Sequence, residues 1–175
     1  VLFPKLANQP DNIDALKKTT RNSIRFSSYI MSPIMLGLLV VADSFVRVVL
    51  TEKWLPCVPF LQLFCIFYLF QPIHTANTQA IKAMGRGDLV LKLEIIRDVI
   101  QLLVLFAVMW ISVEAIVVSM AVMSTLFVFV NAYPNIFLLN YSIKVQLSDL
   151  LPNVIMALIM SAAASLIRLF SMPDF

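Results

Sequence analysis

Residues 60–88 read FLQLFCIFYLFQPIHTANTQAIKAMGRGD, an apolar run that turns polar midway and stops at a glycine-flanked arginine. At about 1.5 Å per residue, an apolar helix of roughly 20 residues crosses a bilayer, and this stretch is long enough. Gln71, His74, Thr75, Thr78 and Lys82 sit three and four residues apart, which places them within an arc of about 100° on a helix. Hydrocarbon offers such groups no partners, so a polar face on a spanning helix must look at protein or at a water-filled cavity. The pattern therefore predicts a passage between helices.

The rest of the chain has the same character. Its 175 residues are 61% hydrophobic and 13% charged, with a mean hydropathy of +0.91; a soluble domain is about 25% charged. A water-soluble globule of this size has no room to hide so much apolar surface. The expected class is an all-α polytopic membrane bundle. The net charge of +3 is small and the basic residues gather in short connections, which argues for topology signals and against a nucleic-acid surface.

Five spans are predicted, at about 23–50, 58–84, 89–111, 113–139 and 149–170, each close to the bilayer-crossing length. Residues 1–22 read as a polar, basic interfacial segment in which Asp11 or Asn12 caps a short helix through Leu16. Pro33 and Pro134 fall inside predicted spans and are expected to kink them, with Ser28 and Ser32 placed to satisfy carbonyls freed by Pro33. Residues 51–59, TEKWLPCVP, form an interfacial turn around Trp54. Gly85 and Gly87 end the second helix and Asp88 caps the third. Residues 140–148 read as a polar loop, and Ala157, Ser161, Ala164 and Ser165 as a stripe permitting close helix approach.

Lys5, Lys17, Lys18, Arg21 and Arg25 precede the first span, Lys82, Arg86 and Lys92 join the second and third, and Lys144 joins the fourth and fifth. The alternate connections hold only Arg47 and Lys53, then none, then Arg168. By the positive-inside rule the N-terminus of this segment is cytoplasmic.

Glu94, Arg97, Asp98 and Gln101 share one face of the third helix. One mid-bilayer charge costs roughly 2.5 to 3.5 kcal/mol on insertion scales, more than an in-helix ion pair returns. The stripe either snorkels into the interface or lines a hydrophilic path, and Gln101 extends it inward. His74, the single histidine, is either hydrogen-bonded packing or a path residue titrating near pH 6.5. Asp43 and Arg47 are spaced for a local ion pair. Cys57 and Cys65 lack metal or redox spacing and read as packing residues; no cofactor or metal site is expected. The segment GRGD lacks the context of a phosphate loop, and no nucleophile lies beside a base, so an enzyme is not expected.

Taken together, residues 51–101, TEKWLPCVPFLQLFCIFYLFQPIHTANTQAIKAMGRGDLVLKLEIIRDVIQ, resemble the C-terminal half of bacterial polysaccharide flippases of the multidrug/oligosaccharidyl-lipid/polysaccharide exporter superfamily. VLFPKLANQPDNIDALKK, FSSYIMSPIMLGLLVVAD and NYSIKVQLSDLLPNVIMALIMS extend the resemblance over nearly the whole chain. Lys53-Trp54-x-x-x-x-Pro59, Ala83-x-Gly85-Arg86-x-Asp88 and Leu147-x-Asp149-x-x-Pro152 are specific in this order. One departure is that residues 111–115, ISVEA, contain no glycine where the family's turn usually has them.

The resemblance implies two lobes about a cationic cavity, residues 1–175 forming part of the C-terminal lobe, with the N-terminal lobe of the same chain as its missing partner. The implied activity is translocation of undecaprenyl-pyrophosphate-linked O-antigen, capsule or exopolysaccharide units across the bacterial cytoplasmic membrane. The partners would be the lipid-linked oligosaccharide and membrane lipids. On the polar faces, Arg97 and Lys82 are the candidate cations and Gln71, His74, Thr78 and Gln101 the candidate hydrogen-bonding groups. A drug or cation exporter, favoured by Glu94 and Asp98, and a non-transport membrane scaffold are the alternatives.

Overall fold

A computed structural model describes residues 13–171, with side chains through residue 166. The elements are α1 (Ile13–Val49), a 3-10 turn (Glu52–Cys57), α2 (Val58–Tyr68), α3 (Gln71–Ala83), α4 (Gly87–Val108), α5 (Val113–Leu138) and α6 (Ile143–Ser171). No strand occurs among the described residues, and the chain folds as an all-α membrane bundle.

α1 runs 37 residues without a break, about 55 Å, nearly twice the hydrocarbon thickness. The boundary expected near residue 22 is therefore absent, and the basic half continues the apolar half as one rod. Asp11 and Asn12, the expected caps, lie outside the described residues. Pro33 and Pro134 sit within continuous helices. Nor do the serines act as expected: Ser28 Oγ donates to the Arg25 carbonyl, and Ser32 Oγ has no partner among the described residues.

The break falls instead where the organising stretch turns polar. α2 and α3 meet at 45°, replacing the single helix expected over 58–84. Pro72 stands in the first turn of α3; it cannot donate to the Tyr68 carbonyl and its ring crowds it, so the chain starts a new helix there. The junction is held by shorter-range bonds, Leu69 N to Ile66 O at 3.3 Å and Phe70 N to Phe67 O at 3.2 Å. Beyond α3, Gly85 adopts φ +73°, a conformation open to glycine at little cost. Asp88 lies in the first turn of α4 while Arg86 occupies the cap position, so Asp88 acts through the helix dipole and not as the expected cap.

The α4–α5 turn manages without glycine because Ser112 is extended, φ −168°, and its Oγ accepts from Ala115 N at 3.1 Å. α6 starts at Ile143, which shortens the expected 140–148 loop to a tight corner in which Asn140 takes φ 46°. α1 packs most extensively on α6, α3 on α5, and α4 along α5. Leu16, Ile24, Ile73, Ala80, Val128 and Tyr141 belong to the main core, at the meeting of α1, α3, α5 and α6. Ala157 packs with Leu36 and Leu69 in a second cluster. Of the small-residue stripe, Ala157 and Ser161 are buried while Ala164 and Ser165 are exposed, so close approach uses its first half.

By length and composition α1, α5 and α6 can cross a membrane, and the bent α2–α3 pair makes a fourth candidate span. α4, expected as a span over 89–111, carries Asp88, Lys92, Glu94, Arg97 and Asp98 and falls outside that set on its charge content.

Candidate functional site

The expected polar face forms on α3 and α4, although not as one continuous stripe. Gln71, Thr75 and Lys82 are exposed and His74 is half-buried, whereas Thr78 turns into the bundle at 8% exposure. On α4 Glu94, Arg97 and Gln101 are half-buried and Asp98 is exposed. The two helices bring Gln71 and Gln101 into one cavity of about 220 Å³, walled by Phe64, Tyr68 and Ser124. One turn along α3, His74 lies within the electrostatic reach of Arg97, Glu94 and Lys82. Arg97 Nη2 pairs with Asp98 Oδ1 at 2.9 Å; Glu94 forms no ion pair among the described residues. The face can donate and accept hydrogen bonds to hydroxyls and present cations to an anionic group. The expected pair at the far end also forms, Arg47 Nε to Asp43 Oδ2 at 3.0 Å, at an exposed position where such a pair is worth little.

A second polar cluster, not anticipated as a unit, lies on the opposite side of α3. Asn77 Nδ2 donates to Gln146 Oε1 at 2.7 Å, and Asn135 Nδ2 donates to Asn77 Oδ1 at 2.7 Å and to the Asn77 carbonyl at 3.1 Å. Gln146 Nε2 donates to the Tyr141 carbonyl at 3.1 Å, and Tyr141 Oη donates to Asp149 Oδ2 at 3.0 Å. Asp149 then receives Arg21 Nε at 2.6 Å and Arg25 Nε at 2.8 Å. Its carboxylate is 1% exposed, while the two guanidinium groups remain 43% and 53% exposed. Burial, then the hydrogen bond to Asp149, raises the Tyr141 hydroxyl above its ordinary pKa of 10.0. Asn153 Nδ2 adds bonds to the Arg25 carbonyl at 2.8 Å and Ser28 Oγ at 2.6 Å.

These contacts tie α1, α3, α5 and α6 together at the basic end of α1. Arg21 and Arg25 read as topology signals in the sequence, and Asp149 as part of a resemblance motif. The available signal was position: Asn77 and Asn135 fall within predicted spans, where a side-chain amide needs a partner, whereas Gln146 falls in the predicted 140–148 loop.

Apolar helices long enough to span a bilayer, with hydrogen-bonded polar side chains between them, define a multi-pass membrane protein. Residues 1–59 match the family model described as "Polysaccharide biosynthesis protein". The chain is 32% identical over 111 residues, 63% of its length, to an uncharacterized membrane protein in the cps region of Klebsiella pneumoniae, covering 23% of that protein. It is 31% identical over 97 residues to the lipopolysaccharide biosynthesis protein WzxC of Escherichia coli K12, 55% of this chain and 20% of WzxC. With the teichuronic acid biosynthesis protein TuaB of Bacillus subtilis 168 it shares 29% identity over 89 residues, 51% of this chain and 18% of TuaB. The matches thus span about a fifth of the length of these curated relatives. No solved structure matches. The findings support the resemblance read from the motifs: the chain is related to membrane proteins of bacterial polysaccharide biosynthesis.

Proposed function

We propose that the chain is part of the C-terminal lobe of a flippase that moves an undecaprenyl-pyrophosphate-linked oligosaccharide from the cytoplasmic to the periplasmic leaflet. The N-terminus of this segment is then cytoplasmic, and the remainder of the protein supplies the facing lobe. The carrying observation is the cavity shared by Gln71 and Gln101 beside the Pro72 break, with His74, Lys82 and Arg97 along the same side. A saccharide needs hydrogen-bonding groups along its path and a pyrophosphate needs cations, whereas the lipid tail stays in hydrocarbon. Gln71, His74 and Gln101 serve the hydroxyls, and Lys82 and Arg97 the phosphates. Thr78, being buried, is left out of this path.

The test uses the full-length protein. Gln71→Leu combined with Gln101→Leu should lower surface polysaccharide while the protein remains in the membrane at normal amount. Normal surface polysaccharide at normal protein level overturns the path. The cation-exporter alternative rests on Glu94 and Asp98, and Asp98 is engaged by Arg97; resistance to cationic compounds lost in Glu94→Gln, with polysaccharide intact, would favour it.

A further inference from the structure

A groove lined by α1 and α6 shares no lining residue with the cavity that holds Gln71 and Gln101. At its polar end is a recess of about 610 Å³ whose lining includes Asn22, Arg25, Tyr29, Asp149 and Asn153. A second recess of about 470 Å³, lined by Tyr29, Ile34, Asn153, Met156 and Met160, continues it. The two share Tyr29 and Asn153, so they form one channel along the surface. From Asn22 to Ile34 the groove is roughly 18 Å long at the helical rise, close to the 15 Å of one leaflet's hydrocarbon.

The ends differ in chemistry. Beyond Asn153 the named lining is apolar, with two unbranched methionines that adapt to an irregular chain. At the other end Lys17, Lys18, Arg21 and Arg25 outnumber Asp14 and Asp149 by two charges. Asp149 also lines the polar recess, but its carboxylate is 1% exposed and paired with both half-exposed arginines, so the head end as a whole remains net cationic. Arg25 uses Nε and Nη2 on Asp149, and its Nη1 has no hydrogen bond among the described residues. Basic pockets between helices at a membrane surface favour anionic headgroups.

We propose that this groove holds one anionic phospholipid from the leaflet at the basic end of α1. Its phosphodiester meets Arg25 and Asn22, and one acyl chain lies along Tyr29, Ile34, Met156 and Met160. The length of one leaflet, the net cationic head and the uncharged lining beyond Asn153 favour a lipid over a protein segment. The site does not depend on whether the protein exports saccharide.

The test is native mass spectrometry of the full-length protein, released from nanodiscs of phosphatidylglycerol or phosphatidylcholine. Wild type should retain one phosphatidylglycerol with about tenfold preference over phosphatidylcholine, as a charge-assisted contact gives. Met160→Trp and Ile34→Trp, which fill the groove and leave the Asp149 cluster untouched, should each lose that lipid about tenfold, with unchanged unfolding midpoints in lipid-free detergent. Should the variants fold poorly, wild type is exposed to phosphatidylglycerol carrying a photoreactive group mid-chain, and labelling at Met156 or Met160 supports the site. Retention equal to wild type in both variants, equal holding of the two lipids, or labelling elsewhere overturns it. So does displacement by an equal amount of undecaprenyl phosphate, or a Met160→Cys cross-link to another segment of the chain or to a second copy.

Discussion

Asp149 on α6 is 1% exposed and receives two guanidinium groups and a phenol, whereas Asp98 on α4 is 64% exposed and pairs with its chain neighbour Arg97. Both are carboxylates on helices of a predominantly apolar chain, and they do opposite things. A buried charge must be matched from several directions, so Asp149 draws two helices and a corner together. An exposed one keeps its freedom and contributes little to stability. The same contrast separates Asn77, locked between Gln146 and Asn135, from Gln71, which opens into a cavity two turns earlier on α3. One side of the bundle uses polarity for cohesion, and on the other Gln71 and Gln101 line a cavity.

That contrast breaks first at Asp149. Asp149→Asn leaves both arginines without their shared anion and should cost about 3 kcal/mol, the low end for a broken buried pair because the guanidinium groups are half exposed. Thermal unfolding of the full-length protein in detergent measures it; an unchanged midpoint would erase the distinction between the two regions. Asn77→Leu should cost about 2 kcal/mol, since it strands Gln146 Oε1 and leaves the Asn135 amide only its bond to the backbone carbonyl of residue 77. Urea titration followed by tryptophan fluorescence reads that loss, and a neutral result would mean the amides are not coupled.

Tyr141→Phe removes one hydrogen bond and should cost about 1 kcal/mol. It also carries a pH signature. Because the folded-state pKa of Tyr141 is raised above 10.0, its contribution is complete below that pH and disappears as pH rises through the folded value: the unfolded chain ionises first. Wild type should therefore lose stability above about pH 10 more steeply than Tyr141→Phe; parallel pH profiles would contradict the buried Tyr141–Asp149 bond. Smallest in stability is Arg97→Ala, expected to move the midpoint by no more than about 0.5 kcal/mol. It should nonetheless lower surface polysaccharide at normal protein level, and a large stability loss instead would place α4 among the cohesive elements.

Much of the architecture was readable because hydrophobic run length is a local property. The all-helical class, the glycine stop at residues 85–87, the turn after α1 and the Asp43–Arg47 pair each depend on neighbours within a few residues. The errors share a cause as well. The break between α2 and α3 falls at Pro72, while Pro33 and Pro134 lie inside continuous helices; which proline ends a helix depends on the packing around it as well as on local sequence. α1 ran on through residue 22 because a polar, basic sequence forms helix readily once its face, Leu16 and Ile24 here, finds a core to pack on. Thr78 lay on the predicted polar arc, but α3 packs against α1 and α5, and Thr78 is buried there.

From its sequence alone this chain was bound to be a membrane helix bundle, since 61% hydrophobic residues in long runs cannot be hidden from water any other way at this size. Which polar residues became internal ties and which stayed open could not be read from order along the chain. Asn77 and Gln146 are 69 residues apart, and Arg21 and Asp149 are 128. Their pairing exists because helix packing brings them within hydrogen-bond reach, and in a low-dielectric interior a polar group so placed has to take the partner it is given.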